Sequence, residues 1–202
     1  MTKQIIIATT NPGKLAEYRY VLGKQEYPWQ FLFLDELEPK ILAPEEPGKT
    51  YHENALIKAE YYFNYFKIPV ITDDSGIEFD ALNGFPGVDT APFFYANKDR
   101  IFEILAAKID QTDPQRKNKR VSFHCCAIYK DQDHIFTHDT SIIGSYIFPP
   151  RGNKSCSYGY DPIFMLENGL TLAELDIEQK LKLSPRCEVV DAIFTSLQNA
   201  AQ

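Results

Sequence analysis

The run Ile5-Ile6-Ile7-Ala8 constrains the fold of this chain more than any other feature. Four apolar residues without alternation leave no face for water, so the run reads as a strand buried on both faces of a sheet. Helical material follows at once. Asn11 is a good N-cap, Pro12 suits the first helical position, and a helix is expected from there to about Leu22. The pattern then recurs. Thr50-x-x-Glu53 is a capping box, Ala55, Leu56, Ala59, Phe63 and Phe66 follow with helical period, and Pro69-Val70-Ile71-Thr72 reads as a second buried strand. With 202 residues, 44% of them hydrophobic, the chain can build one substantial core or two small lobes sharing a sheet. One compact unit is expected, spanning 1–202.

The remaining elements point the same way. Phe31 to Leu34 reads as a strand before a Pro- and Glu-rich loop, and Ile77 to Phe79 as an extended segment before the turn signals Asn83-Gly84 and Pro86-Gly87. A short helix is expected from Asp99 to about Ile109. Arg120–Tyr129 and Ile135–Ile147 read as a long antiparallel pair across a polar turn at Asp131 to Asp133. Thr171-x-x-Glu174 predicts a helix running to about Lys182. Ser184, as N-cap before Pro185, opens the last helix, whose apolar stripe is Val189, Val190, Ile193, Phe194 and Leu197. Strands joined by helices early and a long hairpin later predict a mixed α/β sheet.

Composition excludes some partners. A net charge of −7 argues against a broad nucleic-acid surface, although local lysines and backbone N–H groups can still hold a small anion. Cys125, Cys126, Cys156 and Cys187 form no CxxC pair, and the first two lie inside an apolar run. They read as reduced, buried thiols in preference to zinc ligands or a disulfide. No signal pattern and no apolar run of about 20 residues is present, so a cytoplasmic protein without a membrane partner is expected.

Five groups of residues carry chemistry. Thr9 to Lys14 joins a strand to a helix N-terminus, where unpaired N–H groups and the helix dipole favour an anion and Lys14 adds a charge; an ordinary capped helix with a surface lysine also fits. In Asp73-Asp74-Ser75-Gly76, two adjacent carboxylates at the end of a buried strand are costly unless cations neutralise them. An extended backbone points them to opposite sides, so one can readily face a given metal; an Asp/Ser/Gly turn also fits. Glu45 and Glu46 lie before the helix that Thr50 caps and Lys58 lies inside it, whereas Glu53 is accounted for by its capping box. Tyr158-Gly159-Tyr160-Asp161-Pro162 offers an aromatic beside a carboxylate, suited to stacking a base or simply to a rigid turn. Lys180, Ser184 and Arg186 gather where two late helices meet. Arg186 in a first helical turn opposes the dipole, which hints at a compensating anion or polar ligand.

Taken in order, these segments resemble the inosine triphosphate pyrophosphatase family. The matching blocks are Ala8 to Lys14 with Glu17; Glu46-Pro47-Gly48 and Glu53-Asn54-Ala55 with Lys58; Asp73 to Gly76 through Asn83 to Val88; Tyr158 to Pro162; and Ser184-x-Arg186. The resemblance implies an elongated α/β fold with a mixed central sheet flanked by helices, two lobes with a cleft between them, and a homodimer. It implies that Thr9, Thr10, Asn11, Lys14, Lys58 and Ser75 seat the triphosphate. Glu46 and Asp74 would hold magnesium, Asp74 would also be the base, and Asp73 would support it. Tyr158, Gly159, Tyr160, Asp161, Lys180 and Arg186 would surround the nucleobase.

The departures from the family fall in the base-reading half. Pro185 stands where the family usually has His, Pro92 in Thr90-Ala91-Pro92 where it has Arg, and Ser157 where it has Gly. The expected reaction is Mg²⁺-dependent cleavage of inosine, deoxyinosine or xanthosine triphosphate to the monophosphate and pyrophosphate. The same cleavage on another nucleotide, or nucleotide binding with little catalysis, are the alternatives.

Overall fold

The computed structural model describes residues 3–24, 26–152 and 159–200. Among the described residues, six strands form one mixed sheet in the order β2-β1-β3-β4-β5-β6. They are β1 (Lys3–Ile7), β2 (Trp29–Phe33), β3 (Val70–Phe79), β4 (Arg120–Lys130), β5 (Ile135–Tyr146) and β6 (Phe164–Met165). The helices are α1 (Pro12–Leu22), α2 (Tyr51–Phe66), α3 (Thr90–Asn97), α4 (Ile101–Thr112), α5 (Ile177–Lys182) and α6 (Pro185–Ala200). β1 pairs in parallel with both β2 and β3, and β6 runs antiparallel to β5. β4 and β5 are neighbours joined only by residues 131–134, too short a link for a parallel crossover.

The chain divides into two compact units. The first holds Met1–Asp74, Cys125–Thr140 and Ser184–Gln202; the second holds Ser75–His124 and Ser141–Leu183. In the first, the predicted double burial of β1 is literal: Ile5, Ile6 and Ile7 are fully buried and split between two apolar clusters. Ile5 and Ile7 pack with Ile71 against Tyr18, Val21 and Leu22 of α1 and the stripe of α6. Ile6 packs with Val70 against Ala55, Ala59, Tyr62 and Phe63 of α2. The sheet is therefore covered by α1 and α6 on one face and by α2 on the other. In the second unit Ile77, Phe79, Val121, Tyr146 and Phe164 pack against Ile101, Leu105 and Ile109 of α4.

Three local expectations change. Asp73 to Gly76 is neither a strand end nor a turn, because β3 runs unbroken for ten residues through Phe79. The capping box at Thr171 forms but opens only a short 3-10 turn, Leu172–Glu174; Leu175 is extended and Asp176 caps α5 afresh. Helix α3 was not anticipated, and the helix expected from Asp99 starts at Ile101 and ends at Thr112. Cys125 and Cys126, both buried, and half-buried Cys187 are in no disulfide; Cys156 lies outside the described residues. Among the described residues no helix is long and apolar enough to cross a membrane.

Candidate active site

β1 leaves its carboxyl end through α1 toward β2 on one side, while β3 lies on its other side. The carboxyl end of β1 is thus a point where strand order reverses, the place where open α/β sheets tend to bind ligands. The chemistry-bearing residues of the first unit gather there.

Thr9 to Lys14 forms the expected strand-to-helix junction, with one correction. The first helical N–H groups do not all face outward. The Asn11 side-chain oxygen accepts from Gly13 N–H at 2.9 Å and Lys14 N–H at 3.2 Å, and Thr9 Oγ1 accepts from Asn11 N–H at 3.2 Å. The end of α1 is capped from within. Thr10 and Asn11 are exposed and Thr9 half-buried.

Lys14 occupies a defined place in the sheet. The Pro69 and Ile71 carbonyls accept from the amides of Ile6, in β1, and Ala8, just past it, each at 2.8 Å. Two residues on, β1 has ended, and the Asp73 carbonyl accepts instead from Lys14 Nζ at 3.2 Å. The lysine continues the ladder where the backbone stops.

Alternation along β3 sends its two carboxylates to opposite faces. Asp73, on the α1/α6 face, has a side chain with no exposure; it pairs with Lys14 Nζ at 2.8 Å and Arg186 Nη2 at 2.9 Å. Tyr18 Oη donates to it at 3.3 Å. Burial alone would raise the Asp73 pKa, but Arg186 and Lys14 outweigh it and hold the carboxyl well below the usual range. Burial, reinforced by the Asp73 charge, pushes the neighbouring Cys125 thiol up to about 12. Arg186 is buried between Asp73 and Glu17, whose Oε2 it meets at 2.9 Å, and Ser184 Oγ donates to the same Glu17 oxygen. The anion that the sequence hinted at beside Arg186 is thus supplied within the chain.

Asp74 faces α2. Its Oδ1 lies 3.3 Å from Lys58 Nζ, and its Oδ2 accepts from Asn54 Nδ2 at 3.2 Å. Glu46, on the loop before α2, pairs with the same Lys58 ammonium. Burial works against the charge on Lys58, but Asp74 and Glu46 more than compensate, raising its pKa above that of a free lysine. Two carboxylates from separate segments therefore converge on one cation. Glu46 is the more open of the two, its side chain 35% exposed against 11% for Asp74. Among the described residues no cluster of three or more His, Cys, Asp or Glu is placed to hold a metal. A hard divalent ion that shares its shell with waters and phosphates needs only one or two carboxylates, so Glu46 and Asp74 are a fitting donor set.

The second unit holds the remaining candidates. Asp161 and Lys180 form an almost fully buried ion pair. Tyr160 is a core residue, 3% exposed, donating to the Thr90 carbonyl at 3.0 Å; burial raises its pKa. Gly159 has φ +65°, with the Phe94 ring 3.4 Å from where a Cβ would stand. Ser75 follows Asp74 in β3 and is half-buried; Pro92 is exposed on α3 and Pro185 opens α6. Tyr158 and Ser157 lie outside the described residues. Lys180 pairs with Asp161 in this unit, whereas Ser184 meets Glu17, and Arg186 meets Glu17 and Asp73, in the first.

Four participants had no role in the site assigned from sequence. Glu17 and Ser184 stood in the matching blocks, but nothing local says that they meet. Tyr18 looked like plain helix. Asn54 carried a signal that could have been read: a buried amide beside a capping box needs partners for both its ends.

The Ham1 family matches residues 5–195 of this chain. A dITP/XTP pyrophosphatase from Halalkalibacterium halodurans is 38% identical over 186 residues, 91% of this chain and 93% of that protein. One of the same name from Pectobacterium atrosepticum is 33% identical over 98% of this chain and its own full length. Among solved structures, a HAM1 protein from Coxiella burnetii superposes with a TM-score of 0.80 at 30% identity, covering 96% of this chain and 99% of that one. The Staphylococcus aureus Ham1 protein gives 0.78 at 29% identity, covering 98% and 100%.

Proposed function

The chain belongs to the Ham1 family, and on that premise we propose that it is a nucleoside triphosphate diphosphatase converting non-standard purine triphosphates to the monophosphate and pyrophosphate. The substrates are the triphosphates of deoxyinosine, inosine and xanthosine, in line with the names of its relatives. The observation that carries the reading is the convergence of Glu46 and Asp74 on one cation beside the carboxyl end of β1. A protein that only held a nucleotide would gain little from two carboxylates facing a polyanion.

The reaction needs a water at the α-phosphorus. Its oxygen forms a new bond to phosphorus, the bond to the α–β bridging oxygen breaks, and the electron pair leaves with pyrophosphate. Asp74 accepts the proton of that water. Asn54 holds Oδ2, which leaves Oδ1 as the oxygen that faces the cation and the reacting groups. Lys58 and Lys14 balance charge on the departing pyrophosphate. Asp73 supports the reaction indirectly: as a fixed anion between Arg186 and Lys14 it orients the Lys14 ammonium. Glu46 and Asp74 would hold magnesium, which when bound neutralises the phosphates and so lowers the barrier to attack by an anion or water. In the second unit the Asp161–Lys180 pair offers hydrogen bonds to a base edge, with Tyr158 and Gly159 beside it in sequence. The reading also carries a cytoplasmic homodimer with no nucleic-acid polymer and no membrane as partner.

A nucleotide panel with Mg²⁺, scored for pyrophosphate, tests it. Release from dITP, ITP and XTP well above that from ATP and GTP is expected. A different preferred base would keep the chemistry and change the substrate; tight binding of every triphosphate without release would sink the enzymatic reading.

A further inference from the structure

Asn54 lies in the first turn of α2 and is 3% exposed, in a turn whose neighbours His52 and Glu53 face water. Its side-chain oxygen accepts from Gly48 N–H at 2.8 Å, and its side-chain nitrogen donates to Asp74 Oδ2 at 3.2 Å. The orientation of the amide is dictated by its partners, since a backbone N–H can only donate and a carboxylate only accept. One side chain therefore ties the loop that carries Glu46 to the strand that carries Asp74.

The surroundings fix this amide in place. Thr50 Oγ1 accepts from Glu53 N–H at 3.1 Å, and Glu53 Oε2 accepts from Lys49 and Thr50 N–H at 2.6 and 3.1 Å, so the turn bearing Asn54 is held by its capping box. Thr72 Oγ1 donates to the Ala55 carbonyl at 2.8 Å, which keys the same turn to β3. Gly48 is a close approach: a Cβ there would lie 2.5 Å from Asn54 Oδ1 and 2.8 Å from Glu53 Cβ. No other residue type lets the loop come this near.

We infer that Asn54 is a positioning residue that sets the spacing of Glu46 and Asp74 and dedicates Oδ1 of Asp74 to the cation. The inference rests on the reading of those two carboxylates as the metal cradle. Partners that orient metal ligands typically change affinity by about 10- to 100-fold when removed.

The test is Mn²⁺ binding to the nucleotide-free protein, followed by electron paramagnetic resonance, with circular dichroism and thermal unfolding to verify the fold. Four proteins are compared: wild type, Glu46→Gln, Asn54→Leu and Gly48→Ala. Asn54→Leu keeps the volume and removes both hydrogen bonds; Gly48→Ala keeps the Asn54 amide itself and pushes the loop off the first turn of α2. Both are expected to weaken Mn²⁺ binding at least about tenfold. If Asn54→Leu fails to fold, Gly48→Ala decides alone. Wild-type Mn²⁺ affinity in the folded variants, with Glu46→Gln still abolishing binding, overturns the role of Asn54. Wild-type affinity in Glu46→Gln as well overturns the metal cradle itself.

Discussion

Asp73 has no solvent exposure and two cations against it, so replacing it with Asn would remove one of the two carboxylates that neutralise buried Arg186, the other being Glu17, and the one that pairs with Lys14. Breaking a buried pair from one side typically costs roughly 3–5 kcal/mol. Asp73→Asn should therefore lower stability by about that much in denaturant unfolding. The pH dependence follows from the direction of its shift. The folded pKa lies below the unfolded value, so the contribution is fully present above about pH 4 and is lost as pH falls through the ordinary carboxylate range toward the depressed value. The variant should show a flatter acid limb than wild type; an identical limb would mean that Asp73 is not the group being titrated. Asp74→Asn should behave in the opposite way. It keeps the side-chain shape and leaves Glu46 as the countercharge of Lys58, so the fold should persist, while turnover falls by about 100- to 10,000-fold if it is the proton acceptor. Near-normal turnover would remove that role. The sequence already required the two carboxylates to diverge, because a strand alternates. It did not show which cation each would meet, since Arg186 lies 113 positions from Asp73 and no local pattern encodes that meeting.

At the level of elements, the well-read parts were those whose partners are near in sequence. Thr50 with Glu53, and Asn11 with Pro12, set helix starts within a few residues, and both starts are where they were expected. Long-range satisfaction was harder to see. Asp73 to Gly76 read as a strand end or a turn because polar residues in a buried strand need partners, and those partners sit on α1, α2 and α6. The Thr171 box misled for a different reason: a second box, Asp176 with Gln179, lies five residues on and takes over the helix start. Asp176 Oδ1 accepts from Gln179 N–H at 2.7 Å, and α5 carries Lys180 into its pair with Asp161. Asp176→Ala should therefore cost about 1 kcal/mol in thermal or denaturant unfolding. If Lys180 reads the base, it should also raise KM for dITP more than it lowers kcat. An unchanged KM would separate α5 from substrate recognition.

For the whole molecule, the family, the mixed sheet and its strand–helix alternation were legible from the order of short motifs, each weak alone. The base preference was not legible, because Pro185, Pro92 and Ser157 replace the residues on which the family pattern relies. A negatively charged chain that acts on a polyanion must concentrate its cations locally, and Lys14 and Lys58 do so on the two sides of β3. Homodimer formation is checked by sedimentation equilibrium, with a mass twice that of the chain expected and a monomer at micromolar concentration contradicting it. The chemistry itself is tested most directly by turnover of dITP in ¹⁸O-labelled water, with the products read by ³¹P NMR. Attack at the α-phosphorus predicts one labelled oxygen in the nucleoside monophosphate and none in pyrophosphate. Label in pyrophosphate, or free phosphate as the first product, would contradict the account.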